Sequence, residues 1–93
     1  MQKDKLSSYI GIALQAGYVI EGSDKLSNYN KKLYLVLIDK TAGKNSRKIY
    51  DRIVASGIEG REVEGLGECN QKSYKLIGIK NKGLSEEIKK YLD

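Results

Sequence analysis

Hydrophobic residues along this chain follow two different periods. Three stretches carry them three and four positions apart, as one face of a helix does. These stretches contain Leu6, Tyr9, Ile10, Ala13 and Leu14; Ile49, Tyr50, Ile53 and Val54; and Ile88 and Leu92. We predict a helix at each, the first two ended by Gly17 and Gly57 and the last capped by Ser85. A shorter helix, with Ser23 as its cap, is predicted between the first two.

Four strand-like stretches separate these helices. They are residues 18–22, 33–39, 58–63 and 74–80. The second is apolar at nearly every position, which is typical of a strand covered on both faces, whereas Gly60 inside the third favours an edge position. Residues 66–70 are expected to add a turn or two of helix. A helix followed by four strand–helix units predicts an α/β fold, with one domain over residues 1–93 built as a three-layer α/β/α sandwich around a four-stranded mixed sheet.

The charge of the chain limits the partners that we expect. Of its 93 residues, 17 are Lys or Arg and 12 are Asp or Glu, which gives a formal net charge of +5. That excess favours an anionic partner such as a nucleic acid. A membrane is not expected, because the longest apolar run is Leu33–Ile38, far shorter than a span. The single cysteine, Cys69, and the lack of an apolar leader indicate a cytoplasmic protein, and we expect a monomer.

The residue types needed for familiar catalysis are largely missing. The chain has no histidine, so the usual general base and imidazole metal ligands are absent. The stretch TAGKNS departs from a phosphate-binding loop, since Ile38 stands where the first glycine and Asn45 where the hydroxyl residue would be. Glu62 and Glu64 are interpreted as a solvated strand edge and Cys69 as a packing residue. We therefore predict a protein that is not an enzyme and has no catalytic residue, metal or cofactor.

The basic residues fall mainly where strands and helices join. Lys31 and Lys32 close the second helix, Lys40 ends the central strand, Lys44, Arg47 and Lys48 share one side of the third helix, and Lys72 and Lys75 flank the entry to the last strand. In an open α/β sheet such junctions can gather at one rim. Helix starts at Ser23 and near Asn45 would add backbone N–H donors for a phosphate. A solvated face is the simpler interpretation of any one lysine, but together they indicate a surface for a nucleic-acid backbone.

Four phrases of the sequence, in this order, are similar to a known family. They are YIGIALQAGYVIEG, LYLVLIDKTAGKNSRKI, LGEC and LIGIKNKGLSEEI. With them the chain resembles the kink-turn-binding ribosomal protein superfamily over nearly its whole length. It is most similar to the YlxQ-type branch of bacterial ribosomal-protein-like RNA-binding proteins. The resemblance implies a three-layer α/β/α fold that binds RNA through the turn after the first strand, the helix that this turn opens, and the loop before the last strand.

The resemblance also implies which residues would meet RNA. In the family the helix start typically reads Gly-Thr-Asn-Glu, with a lysine three positions beyond the glutamate. Gly22 matches and Ser23 can replace the threonine, whereas Asp24 lacks the amide donors of asparagine. Lys25 replaces the glutamate that accepts from a guanine edge, so that base contact is lost, and Asn28 stands at the lysine position.

We therefore expect a non-enzymatic RNA-binding protein that acts with ribosomal or another structured RNA, mainly through backbone contacts. The residues expected to contact RNA are Gly22, Ser23, Asp24, Lys25, Asn28, Lys32, Lys40, Lys44, Asn70, Gln71, Lys72 and Ser73. The alternative is a protein-interaction or regulatory module that keeps the fold and has lost kink-turn binding. Related folds also occur as substrate-binding domains of RNA methyltransferases, but a chain that begins at Met1 and ends in a capped helix at Asp93 favours a stand-alone protein.

Overall fold

The computed structural model describes residues 2–70 and 72–93, and its elements follow the predicted order. The helices are α1 (Gln2–Gln15), α2 (Ser23–Ser27), α3 (Lys44–Ala55) and α4 (Lys82–Leu92). The strands are β1 (Val19–Glu21), β2 (Leu35–Asp39), β3 (Gly60–Val63) and β4 (Leu76–Ile79), and a 3₁₀ turn spans Leu66–Glu68. None of these described helices combines the length and the apolar composition needed to cross a membrane.

The described strands form one mixed sheet in the order β1–β4–β2–β3. Strand β4 runs antiparallel to both of its neighbours, while β2 and β3 are parallel. Glu21 pairs with Ile77, and Asp39 pairs with Val63. The last residues of β1, β2 and β3 therefore lie at the end of the sheet where β4 begins. The predicted α/β fold with a four-stranded mixed sheet is confirmed, and β3 is an edge strand as predicted.

The side chains of β2 alternate between the two faces of the sheet, and all of them are buried. On one face they join a cluster with α1 and α4, which includes Leu6, Ile10, Leu35, Leu37 and Ile88. On the other face they join a cluster with α2 and α3, which includes Leu26, Val36, Ile38 and Ile49. Because both faces of β2 are covered, its sequence is apolar without alternation. This distribution favours the predicted three-layer arrangement.

The second helix is shorter than the sequence predicts. It has five residues and ends at Ser27, with Asn28 as its C-terminal cap. Lys31 and Lys32 therefore do not close this helix, and they lie in the irregular segment that leads to β2. Strand β2 also begins later than predicted, at Leu35 instead of Leu33.

Two other predictions about helices are wrong. Helix α4 begins at Lys82, before the predicted cap, because the Asn81 Oδ1 accepts a hydrogen bond from the Leu84 N–H at 2.8 Å. Ser85 lies inside the helix and is buried. Leu14, predicted on the buried face of α1, is 39% exposed because it lies at the margin of the apolar stripe.

Candidate functional site

Three loops meet at the end of the sheet where β4 begins. Backbone hydrogen bonds connect them: the Asp39 N–H donates to the Lys75 carbonyl at 2.9 Å, and the Lys40 N–H donates to the Val63 carbonyl at 3.1 Å. The loop after β1 reaches the same end through the antiparallel pairing of β1 with β4. The prediction that strand–helix junctions gather at one rim is confirmed for these loops.

Five exposed lysines belong to these loops and to the first turns of the helices that they open, and we call them the basic rim. They are Lys25 in α2, Lys40 and Lys44 after β2, and Lys72 and Lys75 before β4. None of the five forms an ion pair with a residue that the structure describes. Their ammonium groups are therefore available to an anionic ligand.

Acidic side chains also lie near the basic rim, and they differ in exposure and in ion pairing. Asp24 and Glu64 are exposed. Glu62 is bound by Arg47 at 2.7 Å, so this arginine of α3 is already neutralised. On the predicted basic face of α3, Arg47 is therefore engaged in this ion pair, whereas Lys48 is exposed. The free positive charge at this end is thus carried by lysines.

A buried carboxylate connects two of the loops. Asp39, the last residue of β2, is 3% exposed. Its Oδ1 accepts hydrogen bonds from the N–H and the hydroxyl of Thr41, each at 2.8 Å, and its Oδ2 accepts from the Gly67 N–H at 2.8 Å. Burial acts to raise the pKa of Asp39, but the hydrogen bonds from Gly67 and Thr41 and the charge of Lys75 outweigh it and hold the pKa below the ordinary 3.8. The ionised side chain therefore ties the loop after β2 to the 3₁₀ turn.

A buried amide closes the loop before β4. The Asn70 Nδ2 donates to the carbonyls of Leu66 at 3.0 Å and Tyr74 at 3.1 Å, and its Oδ1 accepts from the Tyr74 N–H at 2.8 Å. Ser73 adopts a left-handed conformation, with φ of 56°, and both Ser73 and Lys72 are exposed. Because the amide of Asn70 is used inside the protein, the expectation that it contacts RNA is corrected: it holds the loop that presents Lys72.

The start of α2 also differs from the prediction. Gly22, with φ of 93°, is the N-terminal cap, and its N–H donates to the Leu76 carbonyl at 2.9 Å, so it is not available to a phosphate. A side chain at Gly22 would meet the Tyr74 ring at 3.0 Å. Ser23 lies within the helix instead of capping it, and its hydroxyl shares a hydrogen bond of 2.7 Å with that of Ser46 in α3. Both residues therefore support packing at the rim.

The other contact residues predicted on α2 are exposed, but they are not equally free. Asp24 and Lys25 lie on the solvent side of the helix. Asn28 is exposed, yet its Nδ2 donates to the carbonyl of Asp24 at 3.0 Å, so part of its amide is used locally. Gln71, also predicted to contact RNA, lies outside the described residues.

Lys32 is not part of the basic rim, which corrects its predicted role. The segment after α2 runs to the start of β2, and this start lies at the opposite end of the sheet. There the Lys32 Nζ lies 5.2 Å from the centroid of the Tyr34 ring. Lys32 also lines an open cleft of about 390 Å³. Glu59, in the loop before β3, lines the same cleft.

The opposite end also carries a group of charges that are paired with one another. Glu59 accepts a hydrogen bond from Lys89, and Arg61 binds Asp93 at 3.0 Å. Arg61 also lies 3.5 Å from Glu59, so the four side chains form one group, which we call the paired cluster. The hydrogen bond from Lys89 lowers the pKa of Glu59, and the one from Arg61 lowers the pKa of Asp93.

Sequence reasoning missed Asp39 and the structural role of Asn70. The signal for Asp39 was present, because it is the one charged residue in the run LYLVLID and stands at its end. A carboxylate at that position needs hydrogen-bond donors if the strand is buried. The bond from Gly67, 28 positions further along the chain, could not be inferred from spacing.

Comparisons with known proteins bear on the fold. The chain is similar to the solved structure of a protein of unknown function from Bacillus halodurans, with a TM-score of 0.77 and 24% sequence identity. The match covers 96% of this chain and 97% of that chain. No model of a protein family matches the chain, and no curated protein matches it. At this identity the likeness shows the fold alone.

Proposed function

We propose that this protein is a non-enzymatic, cytoplasmic RNA-binding protein that holds structured RNA, such as ribosomal RNA, mainly by its phosphate backbone. One observation carries the proposal: lysines from separate loops gather at one end of the sheet and have no ion-pair partner among the described residues. The resemblance to the kink-turn-binding ribosomal protein superfamily supports the same ligand class. We propose that the chain acts as a monomeric member of that superfamily.

Phosphate binding suits the physical character of the basic rim. Lysine ammonium groups neutralise phosphates without reading bases, and they release counterions when they do so. The N-terminal cap of α3, Gly43, has an extended backbone and provides no side-chain hydrogen bond to the helix start. The first N–H groups of α3 therefore add positive potential beside Lys40 and Lys44.

Binding through the backbone implies weak sequence preference. At the start of α2, Lys25 stands where the family has its base-reading glutamate, and the Gly22 N–H is used within the sheet. We therefore expect a kink-turn RNA and a straight duplex of equal length to bind with similar affinity. Fluorescence anisotropy of the two labelled RNAs at one salt concentration measures this. Tight binding to the kink-turn with no comparable binding to the duplex would refute the backbone mode.

A triple substitution tests the location of the surface. Replacing Lys40, Lys44 and Lys72 by Gln should reduce the slope of log affinity against log salt by about 2 to 3 units, since each lost contact removes about 0.7 to 0.9. The matched control replaces Lys32, Lys82 and Lys90 at the opposite end, which removes the same charge and should leave the slope unchanged. Equal effects of the two triple variants would contradict the proposed surface.

A protein-interaction module is the second candidate, and exposed apolar side chains favour it. Ile12 is 57% exposed and Tyr18 is 39% exposed, at and just beyond the C-terminal end of α1. This candidate predicts purified protein without bound nucleic acid and without an RNA mobility shift at physiological salt. A mobility shift that depends on the basic rim would exclude it as the main function.

A further inference from the structure

The basic rim is assembled from loops that are far apart in the sequence, and one side chain contacts several of them. Lys40 and Lys44 follow β2, whereas Lys72 and Lys75 precede β4. Asp39 lies between the two pairs and is almost completely buried, so it does not itself face a ligand. Its contacts determine how the two pairs of lysines are placed relative to each other.

Asp39 uses both its side chain and its backbone in these contacts. One carboxylate oxygen binds Thr41 twice, which fixes the turn that contains Lys40. The other binds the N–H of Gly67. Its own N–H donates to the carbonyl of Lys75 at 2.9 Å, at the entry to β4.

Gly67 passes this constraint on to the loop that carries Lys72. A Cβ at Gly67 would lie 3.5 Å from an Asp39 oxygen, 3.5 Å from the Ser73 carbonyl and 3.7 Å from the Lys75 Cγ. The 3₁₀ turn is therefore packed directly between the carboxylate and the loop before β4. The carboxylate, the turn and the loop form one contiguous network.

We propose that Asp39 is the positioning residue that makes the two basic loops act as a single RNA-binding surface. The inference rests on the proposed RNA-binding function and adds to it a buried residue that does not contact RNA. Preorganised cations bind a rigid polyanion together, because no loop has to be ordered at the moment of binding. Without the carboxylate, the two loops would bind independently, and the lysines of one loop would lose their contribution.

The decisive experiment asks whether Asp39→Asn tightens or weakens RNA binding. Asp39→Asn removes a negative charge from the rim, so long-range electrostatics alone would tighten RNA binding. The positioning role predicts the opposite, because an amide cannot accept hydrogen bonds at both ends. The matched control is Asp24→Asn, which removes an exposed negative charge from the same rim and should tighten binding of a labelled RNA hairpin.

A thermodynamic cycle separates positioning from general damage. In the wild-type background, Lys72→Gln should flatten the salt slope by about one unit. In the Asp39→Asn background, the same change should flatten it by much less, because that loop is already displaced. Circular dichroism confirms that each variant is folded. Fully additive changes in the salt slope, or tighter RNA binding by Asp39→Asn, would overturn the positioning role. Absence of RNA binding by the wild-type protein would instead overturn the proposed function.

A milder pair of variants covers the case in which Asp39→Asn does not fold. Thr41→Val keeps the shape of the side chain and removes only its hydroxyl bond to Asp39, whereas Thr41→Ser keeps that bond. Thr41 is exposed, so both variants should fold. Thr41→Val should bind the hairpin about threefold to tenfold more weakly than Thr41→Ser, a loss of the size of one ordinary hydrogen bond. Equal affinities would contradict the inference.

Discussion

The two ends of the sheet use positive charge in opposite ways. At one end, Arg61 and Lys89 are bound to Glu59 and Asp93, so the paired cluster satisfies its own charges. At the other, the lysines of the basic rim have no ion-pair partner among the described residues, and the carboxylate of the buried Asp39 accepts its hydrogen bonds from Thr41 and Gly67. A count of lysines does not distinguish the two ends. At the end of the paired cluster, Lys32 and Lys82 also have no ion-pair partner among the described residues, but five such lysines from separate loops gather at the basic rim, which suits this end to an anionic ligand.

The largest expected effect is the response of RNA binding to salt. If all five lysines of the basic rim contact phosphates, raising salt from about 50 to 200 mM should weaken wild-type binding on the order of 100- to 500-fold. The Lys40, Lys44 and Lys72 triple variant keeps two contacts and should weaken only about tenfold over the same range. Anisotropy titrations at both salt concentrations measure the two ratios. A wild-type ratio near tenfold would show that the rim makes far fewer contacts.

The next largest effect is on the free energy of unfolding, and it compares two glycines with positive φ, one at each end of the sheet. Gly22 has φ of 93° and lies against Tyr74, whereas Gly57 has φ of 106° and no described atom within 4 Å of where a Cβ would lie. Gly57→Ala should lower the free energy of unfolding by about 1 kcal/mol through backbone strain alone. Gly22→Ala adds a steric clash with the ring and should lower it by about 2–3 kcal/mol. Urea denaturation measures both, and equal losses would show that the Tyr74 contact does not matter.

The third effect is the acid sensitivity of the basic rim. The pKa of Asp39 is lowered in the folded protein, so its stabilisation is complete above the unfolded value and is lost as the pH falls below about 3.8. Between pH 5 and pH 3, wild-type protein should lose more of its free energy of unfolding than Asp39→Asn does. Only the wild-type protein has a carboxylate at position 39 that takes up a proton in this range. Denaturant titrations at both pH values measure the difference. The same pH dependence in both proteins would assign acid sensitivity to other carboxylates.

The smallest effect is expected at the paired cluster. Glu59→Gln removes an exposed partner of Lys89 and Arg61, and surface ion pairs contribute little to stability. We expect a small decrease in the thermal midpoint and no change in the salt slope of RNA binding. A clear gain in RNA affinity would show that the freed Lys89 joins a binding surface, and the distinction between the two ends would then fail.

The sequence predicted the fold better than the site, and the reason lies in the range of the interactions. The order of elements follows from local periodicity, and the buried strand β2 follows from an unbroken apolar run, and a single stretch of sequence displays either signal by itself. Lys32 was placed at the wrong end because α2 stops after five residues at Asn28, whereas the two lysines of SNYNKK, which suit a helix end, predict a later stop. The role of Asn70 depends on bonds to Leu66 and Tyr74, which require the loop to be folded. Periodicity predicts elements, whereas the site depends on bonds between loops.

The clamped loop before β4 has a kinetic consequence. Asn70 connects Leu66 and Tyr74 at the two sides of this loop through three hydrogen bonds, so under the proposed function Lys72 is presented before RNA arrives. An encounter between the protein and RNA then needs no folding step to become productive. We expect the association rate constant to approach the range of about 10⁸ M⁻¹ s⁻¹ that electrostatic steering allows at low salt, and added salt to act strongly on association itself. Under the proposed function, such a protein would find its RNA quickly, and competing polyanions would slow that search.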